Sequence, residues 1–407
     1  MGKVSSSRNP TLLVSLEKLV RKKAKLSRVS VVGASIAGLI GAREIAAGGI
    51  ETTVYEEHRE IGIPEKCDGL VSAPGIHDLG IVPPSNVVQN RLTRARFFSP
   101  SLKREVDIDA RTQNVVVLDR SRFDKFLAER AAKQGARIEL GSRVSKISQN
   151  ADAAFLEIAD AGRVEADVVL DCSGYETFIR NGGLVLQAGQ YLVYGTWFDK
   201  STVEVYLDPM DAPGFFKWVI PISSNVAKIG VAGLGINSFS VLDEFVKEKK
   251  AVPLRKAAAP VICSGTTKKF VDGRIVKAGD ACGQPKPTTG GGIYTGGFGG
   301  LLAGRAIRAA VEREDLRLLE GYEKEWRSTF GDEFRTQLYA RNVFSKMSAP
   351  QLEKLFDMVN SSGVARKISE EGDFDRHSIA IVKAFGIGNL FSTLGIVITN
   401  EVRSLII

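Results

Sequence analysis

Along most of the chain the apolar residues fall in short, continuous blocks rich in β-branched side chains, and each block stops at a glycine or an acid. Arg28-Val29-Ser30-Val31-Val32 stops at Gly33, Thr52-Thr53-Val54-Tyr55 at Glu56, and Val115-Val116-Val117-Leu118 at Asp119. Ala166-Asp167-Val168-Val169-Leu170-Asp171 runs into Cys172-Ser173-Gly174. Runs of this kind predict strands of a parallel sheet covered on both faces. Between them the apolar spacing lengthens to helical. Leu39, Ile40, Ala42, Ile45 and Ala46 predict a helix stopped by Gly48-Gly49, and a second helix opens at 119–123 and reaches Gln134. Residues 135–140 and 142–147 read as a strand and its continuation, and the alternation from Phe155 to Val164 as a hairpin. From 185 to 235 the character changes. Val185 to Tyr194, Val203 to Leu207, Phe216 to Pro221 and Ala227 to Ala232 follow one another without long helices, which predicts antiparallel sheet. After a helix from Val241 to Lys249 the first pattern returns at 274–280, and residues 311–407 read mostly helical. The expectation is an α/β fold. A Rossmann-like unit of residues 29–180 and 265–310 holds an inserted antiparallel-sheet domain of 181–264, and a helical region follows at 311–407.

Composition adds exclusions. A chain of 407 residues with 44% hydrophobic and 25% charged content is an ordinary globular sequence, not a collagen-like or disordered one. Four cysteines with no Cys-x-x-Cys pair argue against a disulfide scaffold or zinc site and for a reducing, cytoplasmic setting. His58, His77 and His377 form no spaced cluster, so no metal site and no serine triad is expected. The net charge of +8 is concentrated at one end: residues 1–28 carry +7 and the remainder only +1. Nucleic acid binding therefore finds no basic face on the folded body. In the same 1–28 extension, Leu12, Leu13, Leu16, Leu19 and Val20 precede Arg21-Lys22-Lys23-Ala24-Lys25. This reads either as a basic amphipathic helix resting peripherally on an anionic membrane, or as a solvated or packed extension. The apolar stretch Ala384 to Thr399 is shorter than the roughly 20 residues of a spanning helix and reads as a packed one.

Two glycine-rich turns carry the chemistry. The first, Gly33-Ala34-Ser35-Ile36-Ala37-Gly38, joins a strand to a helix, and Glu56 closes the next strand. Gly33 permits the tight turn, Ser35 is small enough for a phosphate to approach, and Gly38 lets the helix pack on the strand. The helix N-terminus favours a pyrophosphate, and Glu56 is placed to accept ribose hydroxyls. This is a dinucleotide site. The second stretch runs Gly279-Asp280-Ala281-Cys282-Gly283-Gln284-Pro285-Lys286-Pro287-Thr288-Thr289-Gly290-Gly291-Gly292-Ile293 and opens a helix containing Leu301, Leu302 and Ala303. Asp280 can accept from a polyol hydroxyl, and the amides of Gly291, Gly292 and Ile293 can face the carbonyl edge of a flavin, where a helix N-terminus stabilises negative charge. The plainer alternative is a glycine-rich turn between packed helices.

The Gly33 turn, Glu56, Arg120, Asp171-Cys172-Ser173-Gly174 and Gly279-Asp280 together resemble the flavoprotein hydroxylase superfamily. Within it, Lys286-Pro287-Thr288-Thr289-Gly290-Gly291-Gly292-Ile293 and Phe216-Lys217-Trp218-Val219-Ile220-Pro221 resemble the geranylgeranyl reductase family. The second is similar to that family's Tyr-x-Trp-x-Phe-Pro…Gly-x-Gly motif. It departs from it at Phe216, at Ile220 and at Gly230-Val231-Ala232. The family's Cys-Gly-x-Gly is here Cys67-Asp68-Gly69-Leu70. The resemblance spans about residues 29–310. It implies FAD as cofactor, with contacts at Gly33, Ser35, Ala37, Gly38, Glu56, Cys67, Asp68, Arg120, Val144, Asp280, Gly292 and Ile293. It makes the inserted sheet a substrate domain.

The activity so implied is saturation of C=C bonds in geranylgeranyl or polyprenyl chains of a membrane lipid or quinone precursor. Phe216, Trp218, Ile220 and Pro221 would wall the substrate channel. Cys67 is the catalytic candidate, as a proton donor or as half of a redox pair with Cys282; a free cysteine is otherwise a small buried hydrophobe. With no second Gly-x-Gly-x-x-Gly unit, the electron donor, NAD(P)H or a ferredoxin-type carrier, is expected to bind transiently. The competing readings are a flavin-dependent monooxygenase or halogenase, whose Trp-x-Trp-x-Ile-Pro is close to 216–221, and a flavoprotein that carries lipid without turnover.

Overall fold

The structure, a computed structural model, describes residues 26–159 and 161–378. The basic segment of residues 1–25 and the apolar stretch at 384–399 lie outside the described residues, as does everything read from them.

The first sheet has the order Val271–Asp272, Ile275–Lys277, Val168–Asp171, Arg28–Val32, Glu51–Tyr55, Arg137–Glu139. It is parallel except for the edge pair of Val271–Asp272 with Ile275–Lys277. The central strands are buried almost throughout, which is why they read as unbroken apolar runs. Over one face lie the helices Ile36–Ala46 and Ile293–Glu312. They approach so closely that a Cβ on Gly300 would sit 2.2 Å from the Ala37 carbonyl oxygen. Helix Arg120–Lys133 joins the same core through Phe123, Leu127 and Ala131. The expected hairpin forms as Ala154–Ile158 with Gly162–Ala166, and Val144–Gln149 makes a third strand beside it.

The second large sheet has the order Val252–Ala258, Val185–Tyr194, Val226–Gly233, Lys217–Pro221, Thr202–Tyr206, Arg94–Phe98, Glu105–Asp109. The stretch at 185–233 forms antiparallel strands as its pattern predicts. Two features depart from the sequence reading. The sheet recruits 94–98 and 105–109 from well upstream, and Thr202–Tyr206 pairs with Arg94–Phe98 in parallel. Val115–Leu118 belongs not to the parallel sheet but to the middle of a small antiparallel one, between Leu70–Ser72 and Val88–Leu92. Val116 and Leu118 enter the core of the first unit and Val115 and Val117 that of the second, so burial on both faces erases the alternation that marks an antiparallel strand.

Past residue 311 the described chain is helical, as expected. In helix Glu320–Phe344, Tyr322, Trp326, Phe330 and Phe334 recur on one buried stripe. Helices Ala349–Ser361 and Val364–Glu371 pack Leu352, Leu355, Phe356 and Val359 against Val106 and Ile108 of the large sheet. Among the described residues no helix is long and apolar enough to cross a membrane.

Candidate functional site

The first glycine turn sits at the C-terminal edge of the parallel sheet. Gly33 has φ +95°, donates its N–H to the Tyr55 carbonyl at 2.8 Å, and a Cβ there would lie 2.5 Å from the Cys172 carbonyl oxygen. Only glycine meets both demands. Glu56 Oε2 accepts from the Ala34 N–H at 2.8 Å, while its Oε1 accepts from the His58 N–H at 3.0 Å and lies 2.6 Å from His58 Nδ1. The helix that begins at Ile36 has Ser35 as N-cap, makes no side-chain cap bond, and carries no acid in its first turn. Its N-terminal amides are thus directed at the cleft without a side-chain acceptor. Arg120 Nη2 reaches Ser35 Oγ at 3.3 Å, and the guanidinium is held by Asp124 at 3.1 and 3.0 Å. Burial opposes the Arg120 charge, but Asp124 outweighs it and the group stays fully cationic. A helix N-terminus and a locked arginine at one point fit a pyrophosphate, and the neighbouring Glu56 fits a ribose.

The second turn faces the first across the cleft. Helix Ile293–Glu312 starts at Gly292, again with no side-chain cap and no acid in its first turn. A Cβ on Gly292 would come 3.5 Å from Asp280 Oδ1. Asp280 is exposed, but only into the cleft; protein surrounds it, and that burial raises its pKa in spite of Arg120.

Between the turns runs the loop 62–69. Gly62 packs on Ser121, Cys67 Sγ accepts from Gly69 N–H at 3.5 Å, and Arg120 lies beside the same sulfur. Lys228, from the large sheet, fixes this loop. Its Nζ binds Glu65 Oε1 at 2.8 Å and the Asp68 carbonyl at 3.0 Å, and Arg255 takes Glu65 Oε2 at 2.5 Å. Burial pushes the Glu65 carboxyl up, yet Lys228 and Arg255 together hold it below its ordinary value. The Asp68 side chain has no such cation in contact, and burial pushes its pKa up to about 6.

All of this opens into one cavity of about 1190 Å³. Sites for single small ligands run to about 1,000 Å³, so this one has room for more than a cofactor. Gly33, Ser35, Glu56, Cys67, Asp68, Arg120, Val144, Asp280, Gly292 and Ile293 line it, as do Phe216, Trp218 and Ile220. Ala37, Gly38 and Pro221 lie behind its wall. Gly38 packs on the Gly33 carbonyl, Ala37 against Gly279 and Gly300, and Pro221 accepts from Asn90 Nδ2 at 2.8 Å. Cys67 and Cys282, offered by the sequence as one possible redox pair, are both free. Cys282 is closed in by Tyr322 and the Gly279 carbonyl, its thiol driven upward by burial, and all four cysteines are free.

Beyond Trp218 the cavity becomes apolar, walled by Phe97, Val106, Ile108 and Val205 of the sheet and by Val343, Met347 and Phe356 of the helices. Sequence reasoning missed this wall; the signal was the alternation Glu105-Val106-Asp107-Ile108-Asp109. It also missed the strap 373–378 that closes one side. Lys286 lines the cavity and is buried, donates to the Phe374 carbonyl at 2.7 Å and lies 3.5 Å from Asp375 Oδ1. Ser72 also binds Asp375, and His377 Nδ1 lies 2.7 Å from Thr288 Oγ1.

Residues 27–211 match the FAD binding domain family. The digeranylgeranylglycerophospholipid reductase of Methanosarcina acetivorans is 30% identical over 358 residues, covering 81% of this chain and 87% of that one. A geranylgeranyl bacteriochlorophyll reductase-like protein of Thermoplasma acidophilum superposes with a TM-score of 0.80 at 25% identity, over 94% of this chain and 99% of its own. The p-nitrophenol 4-monooxygenase of Pseudomonas putida superposes at 0.66 with 16% identity, over 87% of this chain and 98% of its own. At that identity the likeness shows the fold alone.

Proposed function

The chain belongs to the geranylgeranyl reductase family, and from that membership we propose that it is a FAD-dependent reductase saturating C=C bonds in the geranylgeranyl or polyprenyl chains of a membrane lipid or quinone precursor. The observation that carries the reading is the single cavity in which a polar dinucleotide cleft continues into an apolar branch. An isolated alkene offers no polar handle, so only the shape of a dry apolar wall can hold it at the reacting position. Reduced FAD, when bound, supplies the hydride. The chain's residues do the rest. Gly33, Ser35 and Arg120 hold the pyrophosphate, Glu56 the ribose, and Asp280 the polyol. Gly292, Ile293, Val144, Cys67 and Asp68 surround the ring. Ala37 and Gly38 support the first turn from behind. Phe216, Trp218 and Ile220, with Pro221 behind them, shape the start of the prenyl branch. Its walls exclude water from the alkene. Two electrons per bond come from a transient donor, a nicotinamide cofactor or a ferredoxin-type carrier.

The test is anaerobic. The flavin is reduced chemically, a geranylgeranylated lipid is added, and the product is weighed by mass spectrometry. Gains of two hydrogens per step with reoxidised flavin are expected. Reoxidation only on admission of oxygen, with oxygen or halide in the product, would overturn the proposal in favour of a monooxygenase or halogenase. Flavin that never reoxidises with any prenyl lipid would leave a carrier.

A further inference from the structure

A reductase of this kind needs a proton as well as a hydride, and the apolar cavity offers few groups to give one. Most carboxyls that line it are already spent. Glu65 is paired with Lys228 and Arg255, Asp124 with Arg120, and Asp375 with Lys286 and Ser72, while Glu56 caps the first turn. Asp68 differs. It lines the cavity between Cys67 and Trp218, and its Oδ1 is buried with no hydrogen-bond partner among the described residues. Trp218 Nε1 is buried and unpartnered as well; it neighbours Asp68 but falls short of hydrogen-bond geometry. The Asp68 backbone is nonetheless fixed, because its carbonyl accepts from Lys228 Nζ at 3.0 Å. The loop therefore presents a carboxyl with no cation in contact and with Oδ1 unpartnered, the Trp218 indole and its own backbone N–H being the donors near it.

We propose that Asp68 is the acid that protonates the alkene, a role that rests on the reductase reading above. In the step, the C=C π bond and the Asp68 O–H bond break. One alkene carbon takes a hydride, with its electron pair, from the reduced flavin. The other takes the Asp68 proton, and two C–H bonds form. The alkene is reduced by two electrons, the flavin is oxidised by two, and Asp68 is left as a carboxylate that recovers its proton from water. An unpaired carboxylate in such surroundings is costly, so Asp68 holds its proton far more readily than an exposed aspartate. With its pKa near 6, it is matched to proton transfer close to neutrality. The charged groups that set this balance are Lys228, which lowers it, and Glu65, which raises it. Arg255 stands behind Glu65, and Arg120 with Asp124 stands behind Cys67.

The variants are Asp68→Asn and Asp68→Glu, each isolated with FAD and followed by single-turnover reduction of a geranylgeranylated lipid as a function of pH. Asp68→Asn is expected to retain flavin and to slow the step by about 10²–10³-fold. It should also lose the wild type's tenfold fall in rate per pH unit above the Asp68 ionisation. Asp68→Glu should recover part of the rate together with a pH dependence. Independently of turnover, a component of the protonated-carboxyl infrared band that titrates near pH 6 should be present in the flavin-free wild type and missing from Asp68→Asn. An active Asp68→Asn with an unchanged profile overturns the inference and leaves the reductase reading intact. A wild type that binds FAD but saturates no prenyl chain overturns both. If Asp68→Asn does not fold, the wild-type profile decides: a rate flat or rising between about pH 5 and pH 8 overturns the assignment.

Discussion

Replacing Lys228 with methionine keeps the length of the side chain and removes its charge, which isolates what that charge does. Lys228 is 1% exposed and Glu65 8%, and the ammonium serves both the Glu65 carboxylate and the Asp68 carbonyl. Breaking a buried pair costs about 3–5 kcal/mol, chiefly because the remaining charge stays buried. Here Arg255 remains on Glu65 Oε2, but it is 39% exposed, so it returns only about 1 kcal/mol. The expected loss is about 3 kcal/mol in urea unfolding followed by near-UV circular dichroism, accompanied by earlier release of FAD as the 62–69 loop loosens. The pH dependence follows from Glu65. Its carboxyl is held low in the folded wild type, so its contribution is present above the ordinary carboxylate range and is lost as pH falls through the lowered value. The deficit of Lys228→Met should therefore be largest at neutral pH and shrink as Glu65 takes up a proton below about pH 5. Adding Glu65→Leu removes the orphaned charge and should restore stability to within about 1 kcal/mol of wild type. A single variant as stable as wild type, or a double variant no better than the single, would refute this account of the loop.

Three further outcomes are expected. Gly33→Ala should yield folded protein without flavin, because the new Cβ meets the Cys172 carbonyl at φ +95°, whereas Gly49→Ala, with nothing within 4 Å, should keep it; equal flavin content in both would contradict the turn's role. Val106→Trp, in the apolar branch, should leave FAD affinity unchanged and slow reduction of long prenyl chains at least tenfold more than that of a short prenyl alcohol, and a uniform effect on both would count against the branch. Burial, reinforced by Lys286, pushes the His377 pKa down to about 3, so the neutral ring stabilises the fold above its ordinary pKa and that stability drains away as pH falls. Acid titration should then cost wild type about 1.4 kcal/mol per pH unit below about pH 6, and His377→Gln less; superimposable curves would show that the ring carries no such load.

The dinucleotide half of the site was legible because its chemistry is local. A β-branched run, Gly33, an uncapped helix start and Glu56 at the next strand end lie within thirty residues, and the backbone geometry they impose is nearly independent of the rest of the chain. The second glycine turn was legible for the same reason. Lys286 was not, since its burial depends on Phe374 and Asp375, almost ninety positions away. The seat of Cys282 was hidden in the same way, because Tyr322, forty positions away, closes it in.

By itself the sequence determined the strand–turn–helix units, the antiparallel character of 185–233 and the family, because periodicity, turn glycines and short motifs act over the few residues that encode them. Tertiary structure alone decided where the prenyl branch runs. It brought Arg94–Phe98 beside Thr202–Tyr206, with Glu105–Asp109 on its far side, and laid Ala349–Ser361 over them, the last a contact between positions 255 apart in the Asn360 Nδ2 bond to the Glu105 carbonyl at 3.1 Å. It also gave Asp68 its character. A carboxyl's proton affinity is set by what surrounds it, and Trp218 and Lys228 meet Asp68, burying its Oδ1, only once two sheets have closed around the loop.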